Sequence, residues 1–245
     1  MQLYIIRHAQ SDNNELYHRT GATLGRHSDP PLTAIGHEQA RLLAQFLAGY
    51  EAGELGYNAH LHNRNGFQLT HLYTSLMTRA IETATYMVEE IDISLYGWPE
   101  IHERGGLYTE DEAGQVTGKP GLNRPELHGA YPHLILPASV GESGWWSRSR
   151  ESIEESIDRA RLVWERLVER HDDEDRVALV THGGFFQSLL SIAITEGELL
   201  QKVGKTGIGF GISNASISRI DLDDNGIVIR YLNRVDFLPG RLITG

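Results

Sequence analysis

Two histidines in this chain stand where an apolar run stops. Leu3-Tyr4-Ile5-Ile6 gives way to Arg7 and His8, and Val177-Ala178-Leu179-Val180-Thr181 gives way to His182 and Gly183. A neutral imidazole nitrogen is a nucleophile or a proton carrier. A guanidinium is a planar fork that grips an anion with two hydrogen bonds. Arg79 and Glu103 stand just past two further strand-like runs, at 68–75 and 93–103. Taken alone, Arg7-His8 and His182 read as the polar ends of strands, Arg79 as a surface helix residue pairing with Glu82, and Glu103 as a solvated loop acid. Together they supply a nucleophile, two anion forks, a second imidazole and a carboxyl group.

Such residues meet only if the elements before them lie side by side. Residues 2–6 are β-branched and aromatic, as in a buried strand. A helix is expected over 33–49, with Thr33 as its N-cap and Gly49 as its stop. Its Ala40, Leu43, Ala44 and Leu47 share one face. A loop at 53–66 precedes the strand at 68–75, and a helix from about Met77 to Glu90 follows it. The third strand is broken at Gly97-Trp98-Pro99. Helices are expected at 149–170 and 185–194, flanking a strand at 176–181. Two last strands meet at Asp223-Asp224-Asn225-Gly226, a hairpin signal.

Strands alternating with helices predict an α/β fold: a three-layer α/β/α sandwich around a mostly parallel central sheet. Parallel sheets bind ligands outside the carboxyl ends of their strands, so Arg7-His8, Arg79, Glu103 and His182 would converge on one edge. Residues 105–148 have no sustained periodicity and are rich in Gly and Pro, as a cap or lid loop would be. With no internal linker, residues 1–245 are expected to form one domain carrying that insertion.

The bulk numbers narrow the partners. A formal net charge of −11 argues against nucleic acid or an anionic membrane surface as the main partner. A local cluster of arginines still suits a small anion. There are no cysteines, which excludes disulfides and thiolate chemistry and fits a cytoplasmic setting. No apolar run approaches the roughly 20 residues that span a bilayer, and the first residues lack a signal-peptide pattern. His60-x-His62 and the pair His128 and His133 lack the spacing of a metal site. The run 171–176, His-Asp-Asp-Glu-Asp-Arg, reads as a solvated turn.

Five strings in order resemble the histidine phosphatase superfamily, also called phosphoglycerate mutase-like. They are RHAQSDNN from Arg7, DPPLTAIGHEQA at 29–40, YTSLMTRAIETA at 73–84, IHERGG around Glu103, and LVTHGG ending at Gly184. Each is weak alone; their order is specific. The departure is Ala9, where the family's first motif has glycine. Alanine leaves its amide able to face an anion unless a positive φ is required.

The resemblance implies a phosphomonoester hydrolase working through a phosphohistidine. His8 would attack phosphorus, Arg7 and Arg79 would hold the phosphoryl oxygens, and Asn14, His182 and Gly183 would add hydrogen bonds. Nearby arginines would keep His8 neutral. Glu103 would protonate the leaving oxygen and then activate water, with Glu100 the runner-up. No metal or cofactor is expected. The partner would be a small phosphorylated substrate, and a homodimer stays open. A mutase is the alternative, disfavoured because Asn13 occupies the position of a mutase tryptophan and the cap differs. A non-catalytic phospho-ligand module is a third reading, disfavoured because nucleophile and acid are both present. Trp145, Trp146, Tyr108 and Tyr131 would either wall the substrate or pack the long loop.

Overall fold

The computed structural model describes residues 1–21, 24–49, 59–195 and 209–245. Strand β1 (Gln2–Arg7) leads through a short turn to helix α1 (Asp12–Thr20), then to α2 (Ala34–Ala48). Strand β2 (His71–Thr74), α3 (Thr78–Ile91) and β3 (Leu95–Gly97) follow. The cap region contains β4 (Tyr108–Glu110), β5 (Val116–Gly118), α4 (Arg124–Ala130) and β6 (Leu134–Ile135). The chain then forms α5 (Ile153–Arg170), β7 (Arg176–Thr181), α6 (Gly183–Thr195), β8 (Ile217–Asp223) and β9 (Gly226–Arg234).

The central sheet runs in the order β6-β3-β2-β7-β1-β8-β9. The five strands from β6 to β1 are parallel, and β8 and β9 are antiparallel. Alternation along β1 feeds both faces, because successive side chains of a strand point to opposite sides. Tyr4 and Ile6 join the core covered by α2 and α3, while Leu3 and Ile5 join the core covered by α5 and α6. Strand β7 divides the same way, with Ala178 and Val180 on one side and Val177 and Leu179 on the other. A sheet apolar on both faces needs helices on both, which makes the three-layer α/β/α sandwich.

The expected helix start and stop at Thr33 and Gly49 are present: Thr33 Oγ1 accepts the Gly36 amide at 3.0 Å, and Gly49 is the C-cap. Helix α1 carried no signal in the sequence. Its Ser11 and Asn14 form a capping box at the mouth of β1. The segment 105–148 also differs from a structureless cap. Strands β4 and β5 form a small hairpin, and β6 returns to pair with β3 at the edge of the main sheet. Trp146 is buried against Met77 and Leu107, and Trp145 packs beside it, so the tryptophans anchor the cap rather than wall a substrate. Of the loop expected at 53–66, residues 53–58 lie outside the described residues, and Ala59–His62 form a 3₁₀ turn.

The turn after β1 is held from the side by α2. The Gln10 amide donates to Gln39 Oε1 at 2.7 Å, and the buried Gln39 donates from Nε2 to the Leu242 carbonyl at 2.6 Å. Gly36 makes this contact possible: a β-carbon there would stand 2.0 Å from the Gln10 carbonyl oxygen. Gly36→Ala is therefore expected to cost about 2 kcal/mol or more, because backbone must move to relieve the overlap. Urea unfolding of the two proteins measures it.

Candidate active site

The carboxyl ends of β1, β2 and β7 bring the histidines and Arg79 together. Arg79, in the first turn of α3, donates from Nε to His8 Nε2 at 3.0 Å. The His8 and His182 rings lie 5.0 Å apart, tilted by 55°. A β-carbon on Gly183 would lie 3.6 Å from Arg7 Nε, so the start of α6 rests against that guanidinium. Arg7 also donates from an Nη to the Ile212 carbonyl at 2.5 Å. Arg79 is buried and stands 3.9 Å from the Asp29 carboxylate, which accepts the Thr78 amide at 3.0 Å and the Thr78 hydroxyl at 2.9 Å. It is not a surface residue paired with Glu82, whose carboxylate accepts the Leu32 amide instead.

A hydrogen bond to a carbonyl fixes the His8 tautomer. His8 Nδ1 is 2.6 Å from the Ala9 carbonyl, which can only accept, so the proton sits on Nδ1. Nε2 then carries a bare lone pair, directed at Arg79. His182 Nε2 is 2.8 Å from Ser75 Oγ, which itself accepts the Met77 amide at 3.3 Å. With the Ser75 hydroxyl hydrogen given to His182 Nε2, the His182 proton sits on Nδ1. That Nδ1 and Arg7 Nε are buried without a hydrogen-bond partner. Two orphaned donors beside a lone pair suit an incoming anion with acceptor oxygens.

Burial holds His8 well below the ordinary imidazole value, and the charges of Arg79 and Arg7 push it the same way. His182 is held well below it by burial, then by Arg79. His102 is buried too and held well below it by burial, then by Arg159. All three are neutral at pH 7.

Glu103 lines a cavity of about 350 Å³ together with Arg79 and Arg104. Its Oε1 accepts the Arg104 amide at 2.8 Å and the Phe185 amide at 3.1 Å. A β-carbon on Gly184 would stand 2.4 Å from that oxygen, so the second glycine of the His-Gly-Gly string gives the carboxylate its seat. Glu100, the alternative acid, faces away and pairs with Arg166 at 3.0 Å. A second cavity of about 520 Å³ is lined by Arg7, Asn14 and Asn214, and Asn13 and Arg26 line both cavities. Asn14 Oδ1 accepts from Ser11 and from Asn214 Nδ2, which leaves its amide nitrogen as the free donor on that cavity.

One expectation is corrected. The Ala9 amide does not face an anion; it donates to Thr83 Oγ1 at 3.0 Å, and Ala9 is fully buried. Ala9 is not among the positive-φ residues, so the methyl group is accommodated without backbone strain.

A buried ion pair sets the loop that carries Glu103. Arg159 of α5 grips Glu151 through Nε–Oε1 at 2.7 Å and Nη2–Oε2 at 2.6 Å. Its Nη1 donates to the carbonyls of Glu100 at 2.6 Å and His102 at 3.1 Å, while Glu151 and Gly105 are joined through their backbones at 3.2 Å. The loop is thus clamped on both sides of Glu103. Asp29, Ser75, Asn214 and this clamp escaped sequence reading. Asp29 and Ser75 lie inside quoted family strings, whereas Asn214, Glu151 and Arg159 do not.

Residues 3–235 match the profile of the histidine phosphatase superfamily (branch 1). The chain belongs to that superfamily. A histidine phosphatase relative, phosphoglycerate mutase-like protein 4 of Arabidopsis thaliana, is 23% identical over 208 residues, covering 84% of this chain and 77% of its own. Among solved structures, a mycobacterial glucosyl-3-phosphoglycerate phosphatase superposes with a TM-score of 0.57 at 19% identity, covering 96% of this chain and 99% of its own. A phosphoserine phosphatase from Entamoeba histolytica gives 0.55 at 17% identity, with 97% and 99% covered. Histidine phosphatases typically act through a phosphohistidine, and this chain is an enzyme of the phosphatase and mutase kind.

Two outcomes follow from the clamp and the buried imidazoles. Glu151→Gln leaves the Arg159 cation buried without its counter-charge and should cost about 3–5 kcal/mol in denaturant unfolding. The three buried histidines bind protons below about pH 6.5 when unfolded and stay neutral when folded. Unfolding takes up protons there, so stability should fall as pH drops below about 6.5. Each histidine contributes a slope of up to about 1.4 kcal/mol per pH unit, and urea midpoints between pH 7 and 5 would read it.

Proposed function

We infer that this chain is a phosphomonoester hydrolase whose nucleophile is His8 Nε2. The observation that carries the reading is the fixed tautomer of His8. The ring proton sits on Nδ1, which donates to the Ala9 carbonyl, and the Nε2 lone pair stands among Arg79, His182 and Arg7. Arg79 gives up its hydrogen bond to Nε2 and turns its guanidinium to the arriving phosphoryl oxygens. Arg7, His182 Nδ1, Gly183 and the Asn14 amide nitrogen take the others. A P–N bond forms as the ester P–O bond breaks, and protonated Glu103 gives its proton to the leaving oxygen. Glu103 then removes a proton from water as that water attacks phosphorus, releasing phosphate and restoring His8.

The substrate carries a second anionic group. Arg26, Arg104 and Arg150 line the cavity that holds Glu103, and none forms a salt bridge among the described residues. Arg150 lies over the Tyr108 ring at 4.8 Å, which orients it without neutralising it. Glu110 and Glu103 are the carboxylates in the same cavity. In a protein of net charge −11, a surplus of arginine in one cleft selects small polyanions. A phosphate ester bearing a carboxylate or a second phosphate fits this lining. Residues 1–245 act in this reading as one domain, with 105–148 contributing the specificity wall. The absence of cysteine fits a cytoplasmic enzyme, and no helix among the described residues is long and apolar enough to cross a membrane.

His8→Ala should lower phosphate release from p-nitrophenyl phosphate by about 10³-fold or more. Glu103→Gln should lower turnover by about 10²-fold or more. Arg150→Ala should raise KM for a phosphorylated carboxylic acid and leave KM for p-nitrophenyl phosphate unchanged. Equal rates for wild type and His8→Ala would remove His8 from the chemistry. With 3-phosphoglycerate and 2,3-bisphosphoglycerate, isomer formation faster than phosphate release would make the enzyme a mutase.

A further inference from the structure

At the other end of the sheet from His8, three metal-ligating side chains meet, His171 and Asp175 from one turn and His71 from far earlier in the sequence. His71 opens β2, His171 caps α5, and Asp175 precedes β7. Their donor atoms all lie within 4.8 Å of one another. His71 Nδ1 is 3.4 Å from Asp175 Oδ1, and His171 Nδ1 is 3.1 Å from Asp175 Oδ2. A tetrahedral zinc with bonds of about 2.0–2.1 Å has ligand-to-ligand edges of about 3.3 Å. The two imidazole–carboxylate distances bracket that length, each to its own oxygen of Asp175. The two rings stand edge to face, 4.5 Å between centroids, with both Nδ1 atoms turned to the same carboxylate.

We propose that His71, His171 and Asp175 form a binding site for one divalent transition ion of zinc type. Two imidazoles and one carboxylate are the donor set that such ions favour over magnesium or calcium. The far side of His171 is also dressed for the role. Its Nε2 is 3.3 Å from the Tyr73 hydroxyl, the outer hydrogen bond that orients a ligating histidine. Thr70 Oγ1, 2.9 Å from His71 Nδ1 and 3.3 Å from Asp175 Oδ1, stands where it can hold a metal-bound water. Asp172, Asp173 and Glu174 in the adjoining turn add negative charge near the site, against Arg170 and Arg176 on its flanks.

Without metal, Asp175 is hydrogen-bonded to His171 Nδ1, while His71 Nδ1 is hydrogen-bonded to Thr70 Oγ1 and stands 3.4 Å from Asp175. The ion takes the lone pair of each Nδ1 as the ring proton moves to Nε2, and protons compete for the same imidazoles, so binding weakens as pH falls. It also ties the turn after α5 to the start of β2, adding to the Thr70 bonds to Arg176 at its carbonyl and amide. The site lies about 20 Å from His8 along strands of six residues, at roughly 3.3 Å per residue. It therefore stabilises the fold and takes no part in phosphoryl transfer.

The test uses the full chain after dialysis against EDTA, titrated with zinc chloride by calorimetry and followed by thermal unfolding. One zinc per chain should bind, more weakly as pH is lowered, with a rise in Tm; magnesium chloride should give no rise. His71→Gln changes the more exposed imidazole, and Asp175→Asn removes the charge. Each should weaken zinc binding by tenfold or more, with metal-free phosphatase activity of the His71→Gln protein unchanged. No zinc binding at 100 μM by the wild type would overturn the proposal. So would zinc binding of equal strength by wild type and both variants.

Discussion

The site depends on keeping one imidazole neutral beside two permanent cations. His8 sits between Arg79 and Arg7 in a place closed to water, and both the burial and the charges drive its proton off. The cations are themselves held in a costly position. Arg79 has Asp29 at the edge of ion-pair range, and Arg7 has the Ile212 carbonyl. Neither is neutralised by a tight carboxylate contact, so both retain attraction for an anion. The fold sustains this because three parallel strands end at one level and their backbone groups hold the side chains. The His8 amide donates to the Thr181 carbonyl, and the Ser75 amide donates to the Val180 carbonyl.

Helices supply the rest of the support. The α2 N-terminus packs on Gln10, the start of α3 delivers Arg79, and the start of α6 offers the Phe185 amide to Glu103. The acid and the nucleophile are therefore positioned by different elements. His8 directly follows strand β1, whereas Glu103 belongs to a loop held by α5 and α6.

Much of this was legible in the residues. Strands β1 and β7 announce themselves because both faces are buried, which makes a continuous apolar run. Helix α2 was readable to within a residue because its start and stop are local chemistry. Arg7, His8, Arg79, Glu103 and His182 were legible because each follows such an element and each stands in a family string. Helix α1 was not, since it is mostly exposed and polar and takes its start from a capping box. Strand β6 has two residues and exists only because β3 offers an edge. The Glu151–Arg159 pair is a tertiary contact from the end of the cap to the middle of α5, with nothing in either neighbourhood to mark it. Ala9 seemed a weak point at the motif, yet its amide serves Thr83 and its methyl group serves the core.

The clamp around Glu103 also bears on how the molecule breathes. Arg159 and Glu151 tie together the middle of α5, the end of the cap and the loop at 100–105. Separating any two of these would break a buried charge pair or the carbonyl bonds of Arg159, so they open as one cooperative unit. The β4–β5 hairpin lies outside that unit: it pairs only with itself in the sheet ladder and carries Tyr108 under Arg150. Traffic into the cleft can thus be carried by a two-stranded flap, while the acid beneath it keeps its place.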